Sequence, residues 1–197
     1  MTPLPPFYDD LDATLSELWR LLADGAAHGR SGFHLPTLAT VAGEGPRLRT
    51  VVLREADAAA GTLRFHCDRR SDKAFELAEN PACALAVYDG AAKIQIRIEG
   101  RAILHTDDAL AEAAWASSRA MSRVCYAAEP PPGTALTAGN AYTLPDEATA
   151  AVAGRRHFCA VVVRAQRLDF LYLDRRGHRR AAWCRDGSDW EGGWVAP

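Results

Sequence analysis

The sequence predicts a mainly β, α+β protein: a small barrel of closely spaced antiparallel strands with helices at its periphery. Three observations predict it. Short β-like runs recur along the chain with tight turn signals between neighbours. One run, Lys93-Ile-Gln-Ile-Arg-Ile-Glu99, alternates strictly, so Ile94, Ile96 and Ile98 face one way and Gln95, Arg97 and Glu99 the other. Helical periodicity is confined to a few segments, too few to cover both faces of a parallel sheet.

The elements follow in order. Residues 8–27 read as an amphipathic helix, with Leu11, Leu15, Leu18 and Leu22 at helical spacing and Asp9, Asp10 and Asp12 suited to its first turn. Gly25, Gly29 and Gly32 break it. Strands are expected at Thr37–Ala42, Leu48–Arg54, Thr62–Cys67, Ala82–Tyr88, Lys93–Leu104, Phe158–Arg164, Arg167–Leu173 and Arg179–Cys184. Gly43–Pro46, Asp89-Gly90 and Arg176-Gly177 are turn signals. Three helical insertions are expected: Ser71–Glu79, stopped by Asn80-Pro81; Asp107–Met121, opened by acidic residues; and Pro145–Ala153. Glu129-Pro-Pro-Pro-Gly133 must be extended or turned. No linker, repeat or low-complexity break appears, so residues 1–197 read as one domain, with its barrel core at about 36–104 and 157–185.

Composition narrows the function. The chain has 197 residues with 23 Lys+Arg against 25 Asp+Glu, a net charge of −2, which excludes an overall polybasic nucleic-acid binder. With 48% hydrophobic and 24% charged residues, wholesale disorder is excluded too. Met1–Pro6 carries neither a basic region nor an apolar core, and apolar runs such as Phe158–Val163 are far too short for a membrane span. The five cysteines are widely spaced, without a CxxC pair, and read as reduced thiols of a cytoplasmic protein. The six histidines form no ligand pair at helical spacing, so no metal is expected. Of the 23 basic residues, 21 are Arg; Lys73 and Lys93 are the exceptions. Coding bias explains the bulk, and selection for bidentate anion recognition is the competing cause at individual sites.

Several segments can carry chemistry. Arg49-Thr-Val-Val-Leu-Arg54 is either a strand with solvated tips or a pair of anion contacts; an odd separation sends its two arginines to opposite faces. In Phe65-His-Cys-Asp-Arg-Arg-Ser-Asp-Lys73 a strand ends, a polar turn follows and a helix begins near Ser71. A helix N-terminus with a hydroxyl and a cation makes a phosphate cradle; the alternative is an ordinary Ser cap with solvated charges. Gln95 is either a surface residue or a partner for a heteroaromatic edge, because an amide both donates and accepts. His66 titrates near neutrality in its ordinary state, and a packed histidine is favoured over a general base.

The order of these pieces resembles the pyridoxamine 5′-phosphate oxidase-like, FMN-binding split-barrel family. The matching stretches are Arg49–Arg54, Gly61–Cys67, Ser71-Asp-Lys73, Glu76–Pro81, Gln95-Ile-Arg-Ile-Glu-Gly100 and the closing Trp194-Val-Ala-Pro197. The resemblance implies a homodimer of six-stranded, Greek-key-like split barrels with FMN at the subunit interface. By position it implies that Arg49 and Lys73 hold the FMN phosphate with Ser71 assisting. Thr50, Val51, Val52, His66 and Cys67 would line the cofactor, and Gln95 would meet the flavin edge.

The pattern that grips pyridoxal phosphate in the oxidases is incomplete here. Arg54 stands at the basic position closing the first motif. The Tyr-x3-Arg-x3-Ser pattern is reduced to Trp115-Ala-Ser-Ser-Arg119, and the Arg-x-His-x-Arg loop to His178-Arg-Arg-Ala-Ala-Trp183. Arg54, Arg119, Arg179 and Arg180 are the substrate-anion candidates, with strand-end salt bridges the favoured role for the last two. The expected function is an FMN-dependent oxidoreductase of the pyridoxamine 5′-phosphate oxidase-like type on a small molecule that the sequence does not specify, with oxidation of a B6 vitamer itself disfavoured by the incomplete pattern. The alternatives are a non-catalytic flavin carrier and a split barrel for haem or a deazaflavin.

Overall fold

The computed structural model describes residues 3–43 and 45–197. Met1 and Thr2 of the expected N-terminal segment, and Glu44 of the expected Gly43–Pro46 turn, lie outside the described residues.

The long helix α1 (Leu11–Ala27) begins three residues later than its periodicity predicts, because Asp10 caps it: the Asp10 carboxylate accepts the Ala13 N–H at 2.9 Å. Its Leu18 and Leu22 are fully buried. The strands are β1 (Thr37–Ala42), β2 (Gly45–Thr50), β3 (Leu53–Asp57), β4 (Thr62–Asp68), β5 (Ala82–Asp89), β6 (Ile94–His105), β7 (Phe158–Tyr172), β8 (Arg179–Asp186) and β9 (Asp189–Val195). The shorter α-helices are α2 (Asp72–Glu79), α3 (Ala109–Ala116), α4 (Ala120–Val124) and α5 (Glu147–Ala153).

The strands form one antiparallel sheet in the order β2-β1-β5-β6-β7-β4-β3, with β8 and β9 attached to β7. Strand β7 is the spine. Its first half pairs with β4 (Phe158 opposite Asp68) and its second half with β8 (Tyr172 opposite Arg179), while β6 runs along its other edge. That division opens the barrel. It is helped by a register shift at Glu99/Gly100, where Gln166 is extra on β7. A Cβ at Gly100 would sit 2.4 Å from the Arg164 carbonyl oxygen, so only glycine fits the crossing.

Nine strands replace the six expected. Leu48–Arg54 is not one strand: β2 folds back on β1, and the chain then crosses at Val51-Val52 to pair with β4 as β3. The Val51 N–H donates to the Pro36 carbonyl and the Leu53 N–H to the His34 carbonyl, which anchors this crossing. The runs either side of Ala165-Gln166 are one strand, and the C-terminal β9 had no alternating apolar signal because Gly192 and Gly193 occupy its centre. Asp107–Met121 is two helices: α3 ends at Ser117, and Arg123 Nη2 donates to the Trp115 and Ala116 carbonyls there.

The inner faces of β1, β4, β5, β6 and β7 close over one apolar core with α1, including the fully buried Phe65, Ile96 and Phe170. Each such side chain contributes about 1.5–3 kcal/mol by leaving water. A smaller cluster of Ala114, Trp115, Phe158 and Ala160 lies on the other side of β7 under α3.

Candidate functional site

Arg49, Ser71 and Lys73 come together. They line a cavity of about 210 Å³ with Asp72, Pro132 and Gly133. The sequence folds this way because β4 ends at Asp68 and the turn delivers Ser71 as the N-cap of α2. Ser71 does not cap the helix with its side chain; its hydroxyl donates to the Asp68 carbonyl at 2.6 Å. The first turn of α2 therefore keeps its positive dipole end uncapped by that side chain. Lys73 Nζ donates to Ser71 Oγ at 3.3 Å.

Arg49 is held from behind. Its Nη2 donates to Glu76 Oε2 at 2.6 Å, its Nη1 donates to Thr40 Oγ1, and Thr40 Oγ1 donates to the same carboxylate oxygen at 2.5 Å. Burial pushes the Glu76 carboxyl upward, and the hydrogen bonds from Thr40 and Arg49 outweigh it, leaving the pKa below its ordinary value. Two cations, a hydroxyl and a helix N-terminus suit a phosphate dianion. Glu76 and Thr40 were missed in the sequence. A buried carboxylate one helical turn beyond Lys73 was the available signal.

Arg54 and Arg119 meet in a second cavity of about 180 Å³, with Arg64, His66, Ser117, Ser118, Ser122 and Tyr126 on its wall. Neither the Arg54 nor the Arg119 guanidinium has a hydrogen-bond or ion-pair partner among the described residues. Arg64 pairs with Glu55, and among the described residues no carboxylate lines the cavity itself. His66 stacks edge-on against Phe158 at 4.8 Å, and its Nε2 is buried without a partner. Burial, then the charges of Arg64 and Arg54, bring its pKa down to about 3, so it is neutral at pH 7. Three guanidinium groups, four hydroxyls and a neutral imidazole line the cavity, an arrangement chemically suited to an anion. Arg64 was missed, although Arg64 and His66 share a strand face by simple alternation.

The remaining candidates lie elsewhere. Thr50 is exposed at the end of β2, Val51 is buried and Val52 half-buried at the crossing to β3. Cys67 points into the core. Gln95 is half-buried on the outer face of β6, opposite Tyr88 and Leu171. Arg49 has the opposite orientation: it is aligned through Leu38 and Leu85 with Ile98, on the buried face. One chain therefore does not bring Gln95 and the phosphate cradle to one face. Arg180 is on the Gln95 face, across Leu171, but donates Nε and Nη2 to the buried Asp169, which also accepts Arg97 Nη2 at 2.7 Å. Arg179 pairs with Asp9 and lies 3.9 Å over the Tyr8 ring. Salt bridges thus account for both. Among the described residues no group of three or more His, Cys, Asp or Glu side chains could hold a metal ion, and no helix is long and apolar enough to cross a membrane.

A split antiparallel barrel with a phosphate cradle at a helix N-terminus and a cationic pocket beside it defines a cofactor-binding barrel of the flavin-nucleotide type. Residues 16–106, which carry the cradle, Arg54, Arg64, His66 and Gln95, match the FMN-binding domain of pyridoxamine 5′-phosphate oxidase. FMN is its cofactor. The pyridoxine/pyridoxamine 5′-phosphate oxidase of Anaeromyxobacter dehalogenans is 35% identical over 123 residues, which is 62% of this chain and 60% of that relative's length. Among solved structures, a pyridoxamine 5′-phosphate oxidase-related, FMN-binding protein from Nostoc punctiforme superposes with a TM-score of 0.70 at 23% identity, over 100% of both chains. PhzG from Burkholderia lata, in complex with tetrahydrophenazine-1-carboxylic acid, superposes with a TM-score of 0.74 at 23% identity, over 100% of this chain and 99% of its own. These two likenesses establish the fold.

Proposed function

We propose that the chain is an FMN-dependent oxidoreductase whose small-molecule substrate carries a phosphate or carboxylate group. The observation that carries this reading is the second cavity: Arg54, Arg64 and Arg119 converge on it with no carboxylate among the described residues on its wall. Arg54 and Arg119, without a carboxylate partner among the described residues, repel each other and Arg64 across a small cavity, and an anionic ligand relieves that repulsion. Arg49, Lys73 and Ser71 hold the FMN phosphate in this reading, so the two anion sites serve different molecules. FMN supplies the two-electron acceptance, with reoxidation by oxygen or another acceptor. The protein's part is to bind and orient: the arginines fix the anionic end of the substrate, and neutral His66 offers a hydrogen bond without adding charge. The A. dehalogenans relative is named for oxidation of a phosphate ester, which fits the pocket.

The reading includes a homodimer. Gln95 and the cradle face opposite sides of the sheet in one chain, so a flavin site using both takes one from each of two copies. Exposed Tyr88 and Val195, aligned with Gln95 across the sheet, suit burial against a second copy.

The test is anaerobic reduction of the FMN-loaded protein. Pyridoxamine 5′-phosphate and unphosphorylated pyridoxamine are compared as probes, then a matched pair of carboxylated and neutral amines. The expected result is faster flavin bleaching by the anionic member of a pair, and loss of that preference by at least about tenfold in Arg54→Gln/Arg119→Gln. Equal rates for anionic and neutral members, unchanged in the variant, would overturn the reading.

A further inference from the structure

Cys67 on β4 and Cys159 on β7 are direct cross-strand partners. Both are free thiols, and both are buried, 5% and 0% exposed. The ladder fixes the kind of pair they form. The Arg69 N–H donates to the His157 carbonyl, and the Ala165 N–H donates to the Gly61 carbonyl. Both bonds belong to the register that sets Cys67 opposite Cys159, an even number of residues away. Hydrogen-bonded and non-hydrogen-bonded pairs alternate along an antiparallel ladder, so Cys67 and Cys159 are a hydrogen-bonded pair with Cα atoms about 5.5 Å apart. Disulfides span Cα separations of about 4.4–6.8 Å, so the Cα criterion is met, and closing the bond draws the Cβ atoms in from the roughly 5.5 Å of a hydrogen-bonded pair.

Cys159 Sγ donates to the Ala160 carbonyl at 3.7 Å. The adjacent Cys159 and burial push the Cys67 thiol up. Either sulfur can be oxidised first and the same disulfide results; the route through Cys159 is representative.

We propose that Cys67 and Cys159 are a redox-modification site, oxidised by hydrogen peroxide to a cross-strand disulfide that ties β4 to β7 at the root of the phosphate cradle. The Cys159 thiolate attacks a peroxide oxygen; the O–O bond breaks and hydroxide leaves, becoming water with a proton. The Cys67 sulfur then attacks the resulting sulfenic acid; the S–S bond forms, the S–O bond breaks, and a second water leaves with the Cys67 proton. The two cysteines lose two electrons and the peroxide gains them. Asp68, next to Cys67, accepts both the N–H and the hydroxyl of Ser71, so displacement at Cys67 reaches the cradle through one residue.

The inference stands independently of the substrate assigned above. The full-length, FMN-loaded protein is treated with peroxide, quenched, denatured and alkylated, and its intact mass is read. Five alkylated thiols are expected before treatment, three after it and five again after dithiothreitol, with a peptide map linking Cys67 to Cys159. Cys159→Ala is expected to keep four alkylated thiols throughout. Released FMN fluorescence should rise on oxidation of the wild type and stay flat in the variant. Five alkylated thiols after peroxide, a linkage between other cysteines, or sulfinic acids at these two positions would overturn the proposal.

Discussion

Arg49 on β2 and Glu76 on α2, 27 residues apart in sequence, form an ion pair with Nη2 and Oε2 2.6 Å apart. The carboxylate is nearly buried and the guanidinium one-fifth exposed, and Thr40 shares the same oxygen. This pair locks the edge of the sheet to the helix whose N-terminus forms the cradle. Glu76→Ala is therefore expected to lower stability by about 1–3 kcal/mol in urea titrations, because it leaves Thr40 and Arg49 without their acceptor. Arg49→Ala should do that and also weaken FMN binding ten- to hundredfold by fluorescence titration, matched by Lys73→Ala. FMN affinity untouched by both cation substitutions would remove the cradle from the cofactor site.

His66 makes stability depend on pH in a defined direction. Its folded pKa is depressed to about 3 from an ordinary 6.5, so between these values the unfolded chain binds a proton that the folded one refuses. The stabilisation is fully present above pH 6.5 and is lost as pH falls from there toward 3. The slope contributed is at most about 1.4 kcal/mol per pH unit. Urea midpoints at pH 7 and pH 5 should differ more in the wild type than in His66→Phe. Equal differences would mean that the imidazole is solvated and titrates normally.

Opposite placement of Gln95 and Arg49 leads to a complementation experiment. In the proposed homodimer, Lys73→Ala and Gln95→Leu chains are each expected to bind FMN weakly on their own. In a mixed dimer, one site pairs the intact cradle with the intact Gln95 and the other pairs the two defects. Half of the sites in the mixed dimers, about a quarter of all sites after random reannealing of an equimolar mixture, are expected to regain wild-type affinity. Sites completed within a single chain would show no recovery.

The grouping of Ser71 with Lys73 was legible in the sequence because it is local: a strand end, a turn, Ser71 and Lys73 occupy nine residues, and Arg49 joins them in one cavity from a neighbouring run. The alternation of Lys93–Glu99 likewise gave the correct faces of β6. What was illegible depends on the third dimension. The break at Val51-Val52 carries no proline or glycine; it exists because β2 and β3 find partners at different places in the sheet, and that separates Arg49 from Arg54 into two cavities. The cluster at Asp169 joins residues 72 and 11 positions away in the chain, beyond any local pattern, and it explains why Arg180 is engaged.

Gly100 and Gly193 separate glycine used for close approach from glycine that is dispensable. A methyl group at Gly100 would press on the Arg164 carbonyl, a backbone atom that cannot swing aside, while nothing lies within 4 Å of one at Gly193. Both residues are in strands, so the difference isolates the bulge between β6 and β7. Gly100→Ala is expected to cost about 1–3 kcal/mol, the usual effect of overfilling a packed site. Gly193→Ala should be neutral or raise stability by up to about 1 kcal/mol through the unfolded state. Differential scanning calorimetry of the pair checks both. A Gly100→Ala protein as stable as the wild type would mean that β6 and β7 cross without the bulge, and that the division of β7 between β4 and β8 has another origin.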